Sequence, residues 1–174
     1  MSMVTTTRET ERKFDAAEHD LLPILSGLAE VGDQTGPEEQ ALEAVYYDTR
    51  DLRLARGGST LRRRSGGDDA GWHLKLPGGG DSRDELRVPL GHTANDNAPP
   101  EELAALTRVH ARGAKLQPIA QVMTRRRRWR LADDAGEPVI EVVDDHVAAH
   151  TLGARTTTKR WREVEIELLD QGKP

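Results

Sequence analysis

Along most of the chain apolar and polar residues alternate with a period of two, the signature of strands with one buried face. The last such segment, Arg162 to Leu169, sets Val164, Ile166 and Leu168 against Glu163, Glu165 and Glu167. Arg83 to Leu90 repeats the pattern, with Arg83, Glu85 and Arg87 opposite Leu86 and Val88. In Trp72 to Leu76, Lys75 lies opposite Leu74 and Leu76. Extended segments are also predicted over Thr5 to Phe14, Ala41 to Tyr47, Thr60 to Arg64, Ile119 to Leu131 and Val139 to Asp145. A helical period replaces the alternation from Glu18 to Val31, where Leu21, Leu22, Ile24, Leu25 and Leu28 form a stripe and Pro23 suits the first turn. A second helix starts at Pro99-Pro100-Glu101-Glu102, presents Leu103, Leu106 and Val109, and ends at Gly113. Leu52 and Leu54 suggest a shorter one. Loops are expected at Gly32 to Pro37, Gly66 to Gly71, Pro77 to Asp81 and Gly91 to Ala98, and a hairpin turn at Asp133-Asp134-Ala135-Gly136.

These elements describe one α+β domain over residues 1–174, dominated by antiparallel strands. Cysteine is absent, which excludes disulfides, thiolate metal sites and cysteine nucleophiles. No apolar run approaches the roughly 20 residues that span a bilayer, and Met1 to Arg12 lacks a signal-peptide core. The expectation is a cytoplasmic protein with no membrane partner. With 25 Lys and Arg against 30 Asp and Glu, the net charge of −5 argues against a globally basic nucleic-acid binder.

Placement of the charges changes the picture more than their sum. The chain is 32% charged, and the polar strand faces are almost purely ionisable. Glu163, Glu165 and Glu167 share a face, as do Arg62 and Arg64, Glu141 and Asp145, and Glu9, Glu11 and Lys13. An ordinary solvated sheet face is the bland reading of any one strand. Taken together, clusters of one sign repel unless an ion of the other sign lies between them. A barrel with its apolar face outward under the helices and its charged face inward resolves this. Carboxylates would hold Mg²⁺ or Mn²⁺, and Arg and Lys would hold a polyphosphate.

The same residues resemble the CYTH domain, the triphosphate tunnel metalloenzyme superfamily. E-x-E-x-K stands at Glu9 to Lys13, followed by Y-Y-D-T at Tyr46 to Thr49, L-R-R-R at Leu61 to Arg64 and H-L-K-L-P at His73 to Pro77. R-D-E-L-R at Arg83 to Arg87, T-R-R-R-R-W at Thr124 to Trp129, I-E-V-V-D-D at Ile140 to Asp145 and W-R-E-V-E-I-E-L at Trp161 to Leu168 complete the ordered set. The resemblance implies a closed tunnel of about eight antiparallel strands. It also implies hydrolysis of a small triphosphate with Mg²⁺ or Mn²⁺, inorganic triphosphate first and thiamine or nucleoside triphosphates after it. Cyclisation of ATP to cyclic AMP and a non-catalytic polyphosphate- or nucleotide-binding module are the alternatives. By position, Glu9, Glu11, Glu141, Asp145, Glu163, Glu165 and Glu167 are the implied metal-side carboxylates. Lys13, Arg62, Arg64, Lys75, Arg83, Arg87, Arg126 and Arg128 are the implied phosphate ligands, and Lys13, Glu85 and Arg126 the implied catalytic groups. Thr124 stands where the family usually carries a lysine, and strand parity leaves Arg125 and Arg127 as the alternative inward pair.

Other local signals are weaker. Arg125 to Arg128 could form a nucleic-acid patch, but alternation turns two of the four inward. His146 and His150 lack the helix and carboxylate of a zinc motif, and the glycine pairs lack P-loop context. Ser59 and Ser65 have no partner pattern for nucleophilic catalysis. Tyr46, Tyr47, Trp72 and Trp129 read as packing residues under the helices. The expected partner is the triphosphate, with a homodimer left open.

Overall fold

A computed structural model describes residues 4–23, 25, 32–78, 82–91 and 97–169. Strands β1 (Thr5–Ala16), β2 (Asp33–Asp48), β3 (Thr60–Ser65), β4 (Gly71–Pro77), β5 (Ser82–Pro89), β6 (Gln117–Ala132), β7 (Pro138–Thr151) and β8 (Thr158–Leu168) close into a barrel. Helices α1 (Arg53–Arg56) and α2 (Glu101–Ala111) lie outside it. The order around the barrel is β1-β5-β4-β3-β2-β6-β7-β8. All pairs are antiparallel. β1 closes the ring. Its first half pairs with β5 (Thr5↔Arg87 to Thr10↔Ser82) and its second with β8 (Thr10↔Leu168 to Ala16↔Arg162).

The main apolar core lies outside the wall. Leu61, Trp72, Leu74 and Val88 point outward from β3, β4 and β5 and pack with Tyr47, with Leu54 of α1 and with Leu103 and Ala111 of α2. Tyr47 and Trp72 stack at a tilt, with ring centroids 5.0 Å apart. Each large apolar side chain fully enclosed here stabilises the fold by roughly 1.5–3 kcal/mol. On β3, β4 and β5, with the apolar face committed to the helices, the opposite, charged face is left to the interior. The inverted barrel expected from the charge pattern is therefore the observed one.

Three local expectations are corrected. The loop at Gly32 to Pro37 instead lies largely within β2, which pairs with β6 from Asp33↔Ala132 onward. Gly36 and Pro37 sit at a bulge between Thr35 and Glu38, where the register shifts and Gly36 adopts φ +113°. Turn-forming residues here bend a long strand rather than end it. In α2 the buried face is Leu103, Thr107 and Ala111, spaced i, i+4, i+8. Leu106 and Val109 are 45% and 72% exposed, so the apolar residues do not all follow the packed stripe. Of the helix expected at Glu18 to Val31, residues 18–23 and 25 adopt turn and irregular backbone, and residues 24 and 26–31 lie outside the described residues. Parts of two expected loops, 79–81 and 92–96, also lie outside them.

Candidate functional site

Because side chains alternate along each strand, the inward positions of all eight strands meet in one cavity of about 840 Å³. β1 supplies Glu9, Glu11 and Lys13; β3 supplies Arg62 and Arg64; β4 supplies Lys75; β5 supplies Arg83, Glu85 and Arg87. From β6 come Arg126 and Arg128, from β7 Glu141 and Asp145, and from β8 Glu163, Glu165 and Glu167. Every site residue expected from the sequence borders this cavity. The parity of the arginine run is resolved: Arg126 and Arg128 face in, whereas Arg127 lies over the Trp129 ring at 5.1 Å and within 3.9 Å of Asp144.

The carboxylates divide into groups. Asp145 and Glu163 are register partners, and with Glu165 they offer oxygens that all lie within 4.8 Å of one another. Oxygens sharing one hard cation at about 2.0–2.6 Å are separated by at most about 5 Å, so this all-oxygen set fits a divalent ion. Lys13 approaches Glu163 at 3.1 Å and also pairs with Glu165. Arg126 grips Asp145 through two bonds of 2.9 and 2.6 Å and lies 3.6 Å from Glu165. Burial raises the Glu165 carboxyl, but Lys13 and then Arg126 outweigh it and hold the group below the usual carboxylate range.

A second row, Glu11, Glu167 and Glu141, crosses three neighbouring strands in register. Burial, and after it Glu9, pushes the Glu167 carboxyl up to about 7. Glu9 itself is buried, with Lys75 at 2.5 Å and Arg87 at 3.0 Å. Its carboxyl is raised above the ordinary value, burial outweighing the pull of Lys75.

The cations gather on β3, β4 and β5. Arg62 lies 3.8 Å from Glu85 and within 3.4 Å of the Tyr46 hydroxyl, and Arg64 pairs with Asp69 at 2.5 Å. The Nε atoms of Arg62 and Arg128 are buried without an acceptor. A buried cationic donor left unsatisfied is what an anionic ligand would relieve. Arg128 is otherwise held by Glu38 at 2.6 Å and Asp68 at 2.7 Å. Arg83 borders the cavity from an exposed position on β5.

Several groups lining the cavity or enclosed beside it escaped the sequence reading. Tyr46, read as a packing residue, faces the cavity, one position out of phase with Tyr47, which does pack under the helices. Burial raises its phenol, but Arg62, then Arg64 and Lys13 nearby, bring it below the usual value. Asp68 and Asp69, from the β3–β4 turn, pair with inward arginines. His73 is fully enclosed, its Nδ1 3.1 Å from Glu85 and its Nε2 2.8 Å from the Asp69 carbonyl. Its parity with Lys75 was the available signal. His146 and His150 stand apart from the site: His146 lies 3.8 Å from Glu18, and His150 bonds Thr158 at 3.0 Å.

Two comparisons bear on sequence. A pair of Mycobacterium tuberculosis proteins from different strains, both uncharacterized, are 41% identical over 170 residues, covering 92% of this chain and 33% of theirs. The chain thus spans about a third of the length of these relatives. Among solved structures, a candidate adenylate cyclase of Bacillus halodurans aligns with TM-score 0.56 at 16% identity, over 93% of this chain and 81% of that one. A Pyrococcus horikoshii protein aligns at 0.50 and 17%, over 95% and 80%. These structural likenesses concern the fold. The CYTH domain pattern matches residues 7–173, so nearly the whole barrel, with its inward carboxylates and cations, belongs to the CYTH domain family.

Proposed function

We propose that the protein hydrolyses a small triphosphate with the help of Mg²⁺ or Mn²⁺, inorganic triphosphate being the simplest substrate. The observation that carries this reading is the joint presence, in one cavity inside the closed barrel, of the Asp145–Glu163–Glu165 group and the inward arginines of β3 and β6. Asp145, Glu163 and Glu165 would hold the ion, which when bound offsets charge on the transferring phosphoryl group and lowers the pKa of bound water. The remaining steps fall to this chain's own side chains. Arg62 and Arg64 bind phosphate oxygens with planar donors, and Lys75 and Arg87 add charge from the neighbouring strands. Lys13 and Arg126, already against the carboxylate group, are placed to stabilise charge gathering on the terminal phosphoryl oxygens. Glu85, held ionised by the cations around it, orients Arg87 and Lys75. The barrel wall limits water to the cavity mouths. Among the described residues no helix is long and apolar enough to cross a membrane, and we place the activity in the cytoplasm.

The test is phosphate release from inorganic triphosphate, thiamine triphosphate and ATP with each metal. Metal-dependent release is expected, and Glu165→Gln should lower it by about 100-fold or more. No release from any of the three would overturn the reading. Cyclic AMP formed without phosphate release would select a cyclase.

A further inference from the structure

Two carboxylates that border the cavity belong neither to its metal-side group nor to the groups placed around the phosphates. Asp68 and Asp69 are neighbours in the turn that joins β3 to β4. The turn begins with Gly66 and Gly67, at φ +80° and +73°, a backbone that other residues rarely adopt. It is fastened at its far side, where the Asp69 carbonyl accepts from His73 Nε2 at 2.8 Å. Both acids are thereby turned back over the cavity.

Each acid takes one inward arginine. Asp69 accepts from Arg64 Nη1 at 2.5 Å, and Asp68 accepts from Arg128 Nη2 at 2.7 Å. The two arginines stand on different strands, β3 and β6, and both are buried. Burial, and next the charge of Arg62, leave the Arg64 guanidinium below its ordinary value even with Asp69 against it. An anion at this place is therefore needed whether or not a ligand is bound. The carboxylates supply it on the same planar donors that suit phosphate oxygens. The substitution is incomplete at Arg128, whose buried Nε finds no acceptor among the described residues.

We propose that Asp68 and Asp69 form an anion latch: they hold Arg128 and Arg64 in the empty cavity, yield them to an incoming triphosphate, and retake them after hydrolysis so that orthophosphate is expelled. The inference rests on the triphosphate reading above and adds a control on that site. Tethering makes the latch selective. A carboxylate on a short turn competes at an effective concentration of roughly millimolar. Orthophosphate, meeting one arginine at a time, gains little against it. Neighbouring residues reach both arginines, so one polyphosphate chain engages both, and its contacts multiply.

The experiment titrates inorganic triphosphate, without metal so that no turnover occurs, and orthophosphate into the wild type, Asp68→Asn and the Asp68→Asn, Asp69→Asn double variant by calorimetry. Glu43→Gln, an exposed carboxylate of β2 away from the cavity, controls for net charge. The double variant should bind both anions about tenfold more tightly, and Asp68→Asn several-fold more tightly; Glu43→Gln should match the wild type. During hydrolysis with Mg²⁺, orthophosphate should inhibit the double variant at about tenfold lower concentration. Asp68 is 66% exposed, so the single variant carries the test should the double variant not fold. Equal or weaker binding in the Asp→Asn variants would mean that the acids merely brace the arginines; the latch falls and the hydrolase reading stands. An equal gain in Glu43→Gln would overturn it as a general charge effect. Tighter binding with no hydrolysis in any protein would uphold the latch and remove the hydrolase reading. No binding of either anion by any of the proteins would overturn both.

Discussion

Glu85 is fully enclosed, with His73 at 3.1 Å and three cations around it: Arg62 at 3.8 Å, Lys75 at 3.9 Å and Arg87 in direct contact. Burial raises its carboxyl, but the hydrogen bond with His73 and the neighbouring cations outweigh that and hold it well below the usual range. Removing it strands several buried donors, so Glu85→Ala should cost about 3–5 kcal/mol in urea unfolding. A loss under about 1 kcal/mol would show that the surrounding cations do not depend on it. The pH signature has a definite sign. A depressed folded pKa means stability fully present above the unfolded value of 4.5 and lost as pH falls below it. The deficit of the variant should therefore shrink in acid. Glu167 runs the other way. With its folded pKa raised to about 7, its cost is absent below pH 4.5, grows from there to 7 and is full above 7. In metal-free protein, Glu167→Gln should gain on the order of 1 kcal/mol at pH 8, after allowance for its partial exposure, and nothing at pH 4.5. Equal stabilities at both pH values would contradict this. Period-two alternation made Glu85 and Glu167 legible from sequence, because parity alone assigns a face. His73 shares the parity of Lys75, and Tyr46 was read as packing, because residue type did not prompt the same reading. A histidine or tyrosine suits a packed face as well as a wet one, and side-chain type then says nothing about the direction it points.

At the scale of elements, α1 is short and begins at Leu52, whose side chain can accept no hydrogen bond. The free N–H groups of its first turn are met from upstream instead. Asp48 accepts from Leu54 at 2.9 Å and Ala55 at 3.0 Å, and Thr49 Oγ1 accepts from Arg53 at 3.0 Å. Both belong to the Y-Y-D-T segment that the sequence singled out without a task. Asp48→Ala should destabilise the protein by about 2 kcal/mol, with Asp48→Asn losing less; thermal melts of the two variants check the order. An equal loss in both would mean that charge, not hydrogen bonding, does the anchoring. The element boundaries that sequence misplaced have a common cause. Glycine and proline at 36 and 37 mark altered backbone, but only the partner strand decides whether that ends a strand or bulges it. In α2 the apolar residues outnumber the packed positions, and the barrel wall chose Leu103, Thr107 and Ala111.

For the whole molecule, the cavity gathers carboxylates whose mutual repulsion is only partly offset from within. A divalent ion that binds the folded protein and not the unfolded chain adds about 2.7 kcal/mol at 100 times its dissociation constant. Mg²⁺ or Mn²⁺ should accordingly raise the melting temperature of the wild type. The gain should be lost in a Glu163→Gln, Glu165→Gln double variant. An equal rise in both proteins would place the ion elsewhere. The inverted barrel itself was readable before any coordinates, because one-signed strand faces are unstable as a solvated surface and stable around ions of opposite charge.

Closure by β1 has a consequence in time. The seam joins Thr10 to Leu168 and Ala16 to Arg162, the most distant partners in the chain, whereas β3, β4 and β5 form neighbouring hairpins. Loop-closure entropy is recovered late for such partners. The hairpin side and its helices should form first, with the β1–β8 seam zipping last. Val164→Ala, at the seam opposite Phe14, should speed unfolding and leave the folding rate within about twofold, whereas Leu74→Ala beneath the helices should slow folding. Chevron plots of the two variants distinguish this order from its reverse. Until the seam closes, β1 and β8 each expose an unpaired edge, so crowding by other copies of the chain is most hazardous in that last step.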